Sequence, residues 1–71
     1  MIFKTQIVLY IYEKLRKHEV ITTKLIVDEF NISIPTFRRY ISEINSYLFN
    51  FKTGEQVVYS RRQRSYILIV I

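Results

Sequence analysis

Three blocks of the chain carry apolar residues at helical spacing, and two short blocks after them carry β-branched and aromatic runs. Ile7, Ile11 and Leu15 recur every four residues, widened by Val8 and Tyr12, which predicts a helix over residues 3–18. Leu9 and Tyr10 fall off that stripe, so this helix is apolar around more of its circumference than a monomer requires. Either a partner subunit or the C-terminal strands are expected to cover them. Thr22 or Thr23 can cap a second helix reaching about Phe30, with Leu25, Ile26 and Phe30 inward and Asp28 and Glu29 on the exposed face. After a turn at Asn31 and Ile32, Phe37, Ile41, Ile44 and Leu48 stand at i, i+4, i+7 and i+11. They predict a third helix opening at Ser33 and fraying between Leu48 and Phe51. Ser33 suits the free amides of a first turn, and Pro35 needs no donor there.

Gly54 closes a loop over residues 52–54 as its natural left-handed position. Beyond it, EQVVYS (55–60) and SYILIVI (65–71) read as strands, joined through Arg61, Arg62, Gln63 and Arg64. The prediction is therefore an α+β chain, mainly α: three helices, then a two-stranded hairpin, in one domain spanning residues 1–71. Two helices joined by a short turn, the second capped and basic, form a helix-turn-helix; a hairpin after them makes it winged.

Composition narrows the function classes. Seventy-one residues leave no room for a separate catalytic domain. No Gly-rich phosphate loop, Ser-His-Asp set or paired carboxylates are visible, so no enzyme, cofactor or small-molecule ligand is expected. The lone His18 sits in a cationic cluster (Lys14, Arg16, Lys17) that suits a helix C-terminus, and no second histidine joins it as a metal ligand. The chain has no cysteine, which fits a reducing, cytoplasmic location. Neither apolar run, 7–12 or 66–71, approaches the ~20 residues of a membrane span, and no signal-peptide layout is present.

The net charge is +5, unevenly spread. Residues 1–30 hold five basic and four acidic side chains; residues 31–71 hold six basic and two acidic. The positive field belongs to the third helix and the segments C-terminal to it, and it favours a polyanion, nucleic acid first.

At residue level, Thr22-Thr23-Lys24-Leu25, Phe30-Asn31-Ile32-Ser33 and Thr36-Phe37-Arg38-Arg39-Tyr40-Ile41 together resemble the helix-turn-helix pattern of DeoR-type and biotin-repressor-type regulators. The run Ser33-x-x-Thr36-Phe37-Arg38-Arg39-Tyr40-Ile41-x-x-Ile44-Asn45-x-x-Leu48 is also similar to that of Mga-type virulence regulators, and Tyr66 sits where these families place a wing aromatic. Tyr40 departs from the acidic residue of DeoR-type proteins, and the loop over 50–54 is longer than in the biotin-repressor type. The resemblance implies double-stranded DNA as partner and a role as a small transcriptional regulator or the reading head of a larger one.

On that reading Thr36 and Arg38, with Pro35 and Ser42 beside them, face base edges in the major groove, and Arg39 does the same or holds a phosphate. Thr23, Lys24 and Ser33 meet phosphates at helix starts. Arg61, Arg62, Gln63 and Arg64 clamp the backbone or enter the minor groove. A homodimer is expected, with Ile2, Phe3, Leu9, Tyr10, Ile69 and Ile71 as candidate self-contacts. Tyr47, Phe49, Phe51, Tyr59 and Tyr66 can stack single-stranded bases, though their spacing favours packing. The alternative class is a winged helix used for protein assembly, its arginines only solubilising it.

Overall fold

The computed structural model describes residues 1–71. In chain order its elements are α1 (Lys4–Arg16), α2 (Thr23–Phe30), α3 (Ile34–Asn50), β1 (Glu55–Ser60) and β2 (Ser65–Val70). Three helices precede one antiparallel hairpin, the α+β layout of a winged helix. No helix is long and apolar enough to cross a membrane.

Each helix ends where its capping chemistry dictates. At α1 the Phe3 N–H donates to Gln6 Oε1 (3.0 Å). The helix stops at Arg16, short of the predicted residue 18, because His18 adopts a left-handed φ of 58°. Thr22, not Thr23, caps α2: its Oγ1 accepts the Leu25 N–H (3.1 Å). Ile26 is buried and Val27 and Phe30 pack against the core, but Leu25, expected on the apolar face, is 50% exposed. One position before Ile26, Leu25 is rotated about 100° away from it. Asn31 turns the chain at φ 52°, and Ser33 then caps α3 with Pro35 in its first turn.

The core holds Ile7, Ile11 and Leu15 of α1, Ile21, Ile26, five residues of α3 and Val57 of β1. The predicted α3 stripe is all present, and Tyr40 joins it at 8% exposure. That burial gives a physical reason for an aromatic ring at position 40, which faces α1, where Lys4 Nζ lies 5.9 Å from the ring centre.

Three contacts fix the course of the hairpin along α3. At its base, Ile71 N–H donates to Gly54 O (2.9 Å), and Thr53 N–H returns to Leu48 O (3.1 Å) near the α3 C-terminus. Midway, the Asn45 amide clasps the Val57 backbone, accepting its N–H (2.7 Å) and donating to its C=O (3.0 Å). Further on, Tyr66 meets Phe37 edge to face, ring centres 5.4 Å apart. The hairpin therefore runs back along α3, and its tip lies at the end where α3 begins.

The same end receives the start of α2. Ile21 N–H donates to Ser65 Oγ (2.9 Å), the Ser65 hydroxyl lies within donating distance of Ile21 O (3.0 Å), and Tyr66 N–H donates to Ile21 O (2.8 Å). These bonds tie the chain just before Thr22 to the start of β2. Ser65 is the one buried polar side chain of the fold; its Oγ accepts at this junction and also lies within donating distance of Tyr66 O (3.1 Å).

Candidate nucleic-acid interface

Helix geometry places the α3 side chains about the Phe37–Ile41–Ile44–Leu48 stripe. At ~100° per residue, Arg39 points almost directly away from that stripe, with Pro35, Ser42 and Ser46 around it. Arg38 stands about 90° off, on the flank it shares with Asn45, seven residues on. Because Asn45 is bound to Val57, that flank faces the wing. Arg38 and Arg39 are both exposed, and neither contacts a carboxylate.

The structure does not bring Thr36 and Arg38 onto one face. They lie about 160° apart around the axis, and Thr36 is half-buried. Its hydroxyl belongs to the cap: Ser33 Oγ donates to Thr36 Oγ1 (2.8 Å) and accepts the Thr36 N–H (3.2 Å). Arg39 Nη2 donates to the same Thr36 Oγ1 (3.3 Å). Pro35 and Ser42 are exposed as expected. Ser42 also lines an open groove between α3 and β1 with Asn45, Ser46 and Gln56.

The helix starts differ in what they offer an anion. At α3 the Thr36 N–H goes to Ser33 Oγ, the Phe37 N–H to Ser33 O, and Pro35 has none, which leaves the Ile34 N–H alone. Ser33's hydroxyl is committed within the cap. At α2, Leu25 and Ile26 donate to Thr22, and the N–H groups of Thr23 and Lys24 stay open. Lys24 Nζ reaches only Asp28 (2.9 Å) in a well-solvated i,i+4 pair that a phosphate can replace at little cost.

At the wing tip, the Gln63 N–H donates to Ser60 Oγ (3.2 Å), which closes the four-residue loop. Arg61, Arg62, Gln63 and Arg64 are all exposed, with Arg64 at φ 54°. The tip, the start of α2 and the start of α3 thus share one end of the molecule.

Ion pairing sharpens the charge asymmetry. Lys4, Lys14, Arg16, Lys17 and Lys24 bridge to Glu43, Glu19, Glu55, Glu13 and Asp28 at 2.8–2.9 Å. The Lys17 hydrogen bond holds the Glu13 carboxyl below its ordinary range, and Glu19 and Glu13 raise Lys14 and Lys17. The cationic end of α1 is thus matched by carboxylates as well as by the helix dipole. Every lysine or arginine side chain without such a partner lies in the second half: Arg38, Arg39, Lys52, Arg61, Arg62 and Arg64.

No family model matches the chain, and no curated protein or solved structure matches it. The geometry is therefore the ground on which a function can be assigned. Three residues that matter to it escape local spacing: Asn45, Ser65 and Glu55, whose carboxylate takes both bonds from Arg16 Nη1 (2.9 and 3.2 Å). For Asn45 a signal existed, a poor helix former beside the stripe in mid-helix.

The apolar surface divides. Tyr10 stacks edge to face on Phe30, Tyr66 on Phe37 and Tyr59, and Tyr47 lies against Tyr12 and Phe51. The strands do not cover Leu9, which is 58% exposed beside a groove lined by Val8, Tyr12, Ile44 and Tyr47. Ile2, Phe3 and Ile71 are exposed too, and Ile69 is half-buried.

Proposed function

We propose that this chain is a winged helix-turn-helix module that binds double-stranded DNA sequence-specifically, as a transcriptional regulator or the DNA-binding part of one, and not as an enzyme. The single observation that carries the reading is the gathering of unpaired arginines on the outer side of α3 and at the hairpin tip, at one end of the fold. An α-helix fits the ~12 Å major groove, and a basic tip beside it reaches the adjoining backbone or minor groove. The open Thr23 and Lys24 amides suit a flanking phosphate.

The body measures 33 × 27 × 21 Å, so one copy spans about one duplex turn of ~34 Å. Two copies on paired half-sites supply the remaining specificity, and the exposed Leu9, Phe3 and Ile2 are available for that self-contact.

The exposed apolar groove beside Leu9 supports a second reading, an assembly module that contacts protein alone. Selection on random duplex DNA at 50 and 200 mM salt separates the two. The DNA reading expects an enriched motif and, with about six phosphate contacts, affinity lower by ~10³ at the higher salt. Replacing both Arg38 and Arg39 by alanine abolishes the enrichment while the fold stays intact. No enrichment by the parent chain, or no effect of the double change, favours assembly.

A further inference from the structure

Arg38 and Arg39 are adjacent and chemically identical, yet the fold treats them differently. We infer that Arg39 is the base-reading residue of the interface, contacting a guanine edge, and that Arg38 holds the phosphate backbone on the wing side. The inference rests on the DNA-binding reading and assigns roles within it.

Position comes first. A helix lying in the major groove presents the side opposite its buried stripe to the base edges. Arg39 occupies that side, and its neighbours Pro35, Ser42 and Ser46 are short and uncharged, so nothing bulky holds the helix off the groove floor. Arg38 stands a quarter-turn away on the flank that carries Asn45 and the wing, where the wall of the groove and its phosphates lie.

Aim comes second. A bidentate guanine contact needs a guanidinium plane already directed at O6 and N7. Arg39 Nη2 is tethered to Thr36 Oγ1 (3.3 Å), and Thr36 Oγ1 is held by Ser33 Oγ (2.8 Å). This two-link chain runs from the cap of α3 to the arginine head, so less side-chain freedom is lost on binding. Arg38 has no hydrogen-bond partner, which suits a swinging contact to phosphate.

Freedom from competition comes third. Glu43 is four residues after Arg39, the spacing at which a carboxylate would normally capture it. Its Oε2 is instead bridged to Lys4 Nζ of α1 (2.8 Å). The one carboxylate able to neutralise Arg39 from its own helix is drawn to the other side.

The test compares charge-conserving variants in the same duplex selection. Arg39→Lys keeps the cation but loses the planar fork, so preference for guanine at one motif position should fall roughly 5- to 150-fold with the salt slope unchanged. Arg38→Lys should leave the motif intact, and Arg38→Ala should lower the salt slope by about 1 while weakening all sequences alike. Thr36→Val should erode the same guanine preference, and Thr36→Ser should retain it. Thermal melts of each variant check that these exposed or cap positions leave the fold standing.

Loss of the guanine preference in Arg38→Lys, or its survival in Arg39→Lys, overturns the assignment. Undiminished preference in Thr36→Val overturns the aiming role. A parent chain that binds duplexes without any sequence preference overturns the inference but not duplex binding. A parent that binds no duplex fails at the earlier step and overturns both.

Discussion

Four residues other than glycine adopt left-handed backbone: His18, Asn31, Lys52 and Arg64, while the chain's one glycine, Gly54, takes φ 76°. Asparagine tolerates that region; an arginine there costs roughly 1 kcal/mol. Arg64 therefore bears strain at the hairpin tip, where a glycine would relieve it and a cation would be lost. Arg64→Gly should raise Tm by ~3 °C, a net gain of about 0.5 kcal/mol once the glycine's unfolded-chain entropy is subtracted. The same change should reduce the salt slope of DNA binding by about 0.9. Calorimetry and salt-dependent titration read the two effects separately, and a glycine variant binding like the parent removes Arg64 from the interface. Such positions are hard to read from sequence because the left-handed residues carry no glycine signature: only Gly54 announces its conformation. Ser65 is equally silent. Its partner Ile21 is 44 residues away, so no local pattern reveals that its hydroxyl joins α2's start to the sheet.

Among elements, the one relation on which the interface most depends is the clasp of the wing to α3. Asn45 satisfies both backbone groups of Val57 on the edge of β1 that faces α3, away from β2. Asn45→Ala leaves a part-buried N–H and C=O without partners, which should destabilise the chain by about 1–3 kcal/mol and speed amide exchange at Val57. Unchanged exchange there would mean that packing of Val57 and Tyr66 alone holds the wing. Element identity and order were legible because caps and periods agree: Ser33 and Pro35 open α3, Gly54 precedes β1, and the β1 run of residues 55–60 is reproduced. The failures were rotational. Leu25 carries the right composition for the core, but the Thr22 cap fixes a phase in which Ile26 takes the inward position. Thr36 and Arg38 share a short motif but not a face, a fact that helical arithmetic contains and that motif resemblance conceals. Which carboxylate each cation meets depends on how α1, α3 and β1 pack, so Arg16–Glu55 and Lys4–Glu43 were invisible locally.

For the molecule as a whole, net charge is a poorer guide than pairing. The five basic residues of the first half are all bridged, two of them by carboxylates from the second half, so the free lysine and arginine side chains are confined to α3, the loop after it and the tip. Polyanion binding should then depend on where a cation is removed, not on how many. Lys14→Gln with Lys17→Gln, and Arg61→Gln with Arg62→Gln, each lower the formal charge by the same amount. The lysine pair faces Glu19 and Glu13 already, and its removal should leave the DNA salt slope unchanged within ~0.5. The arginine pair has no carboxylate to release, and its removal should lower the slope by up to ~2 and weaken affinity by more than about tenfold at ~100 mM salt. Equal effects of the two pairs in salt-dependent binding titrations would mean that the chain attracts DNA only through its overall field. Unequal effects in the stated order locate the contact at the end of the fold where α2 starts, α3 starts and the hairpin turns.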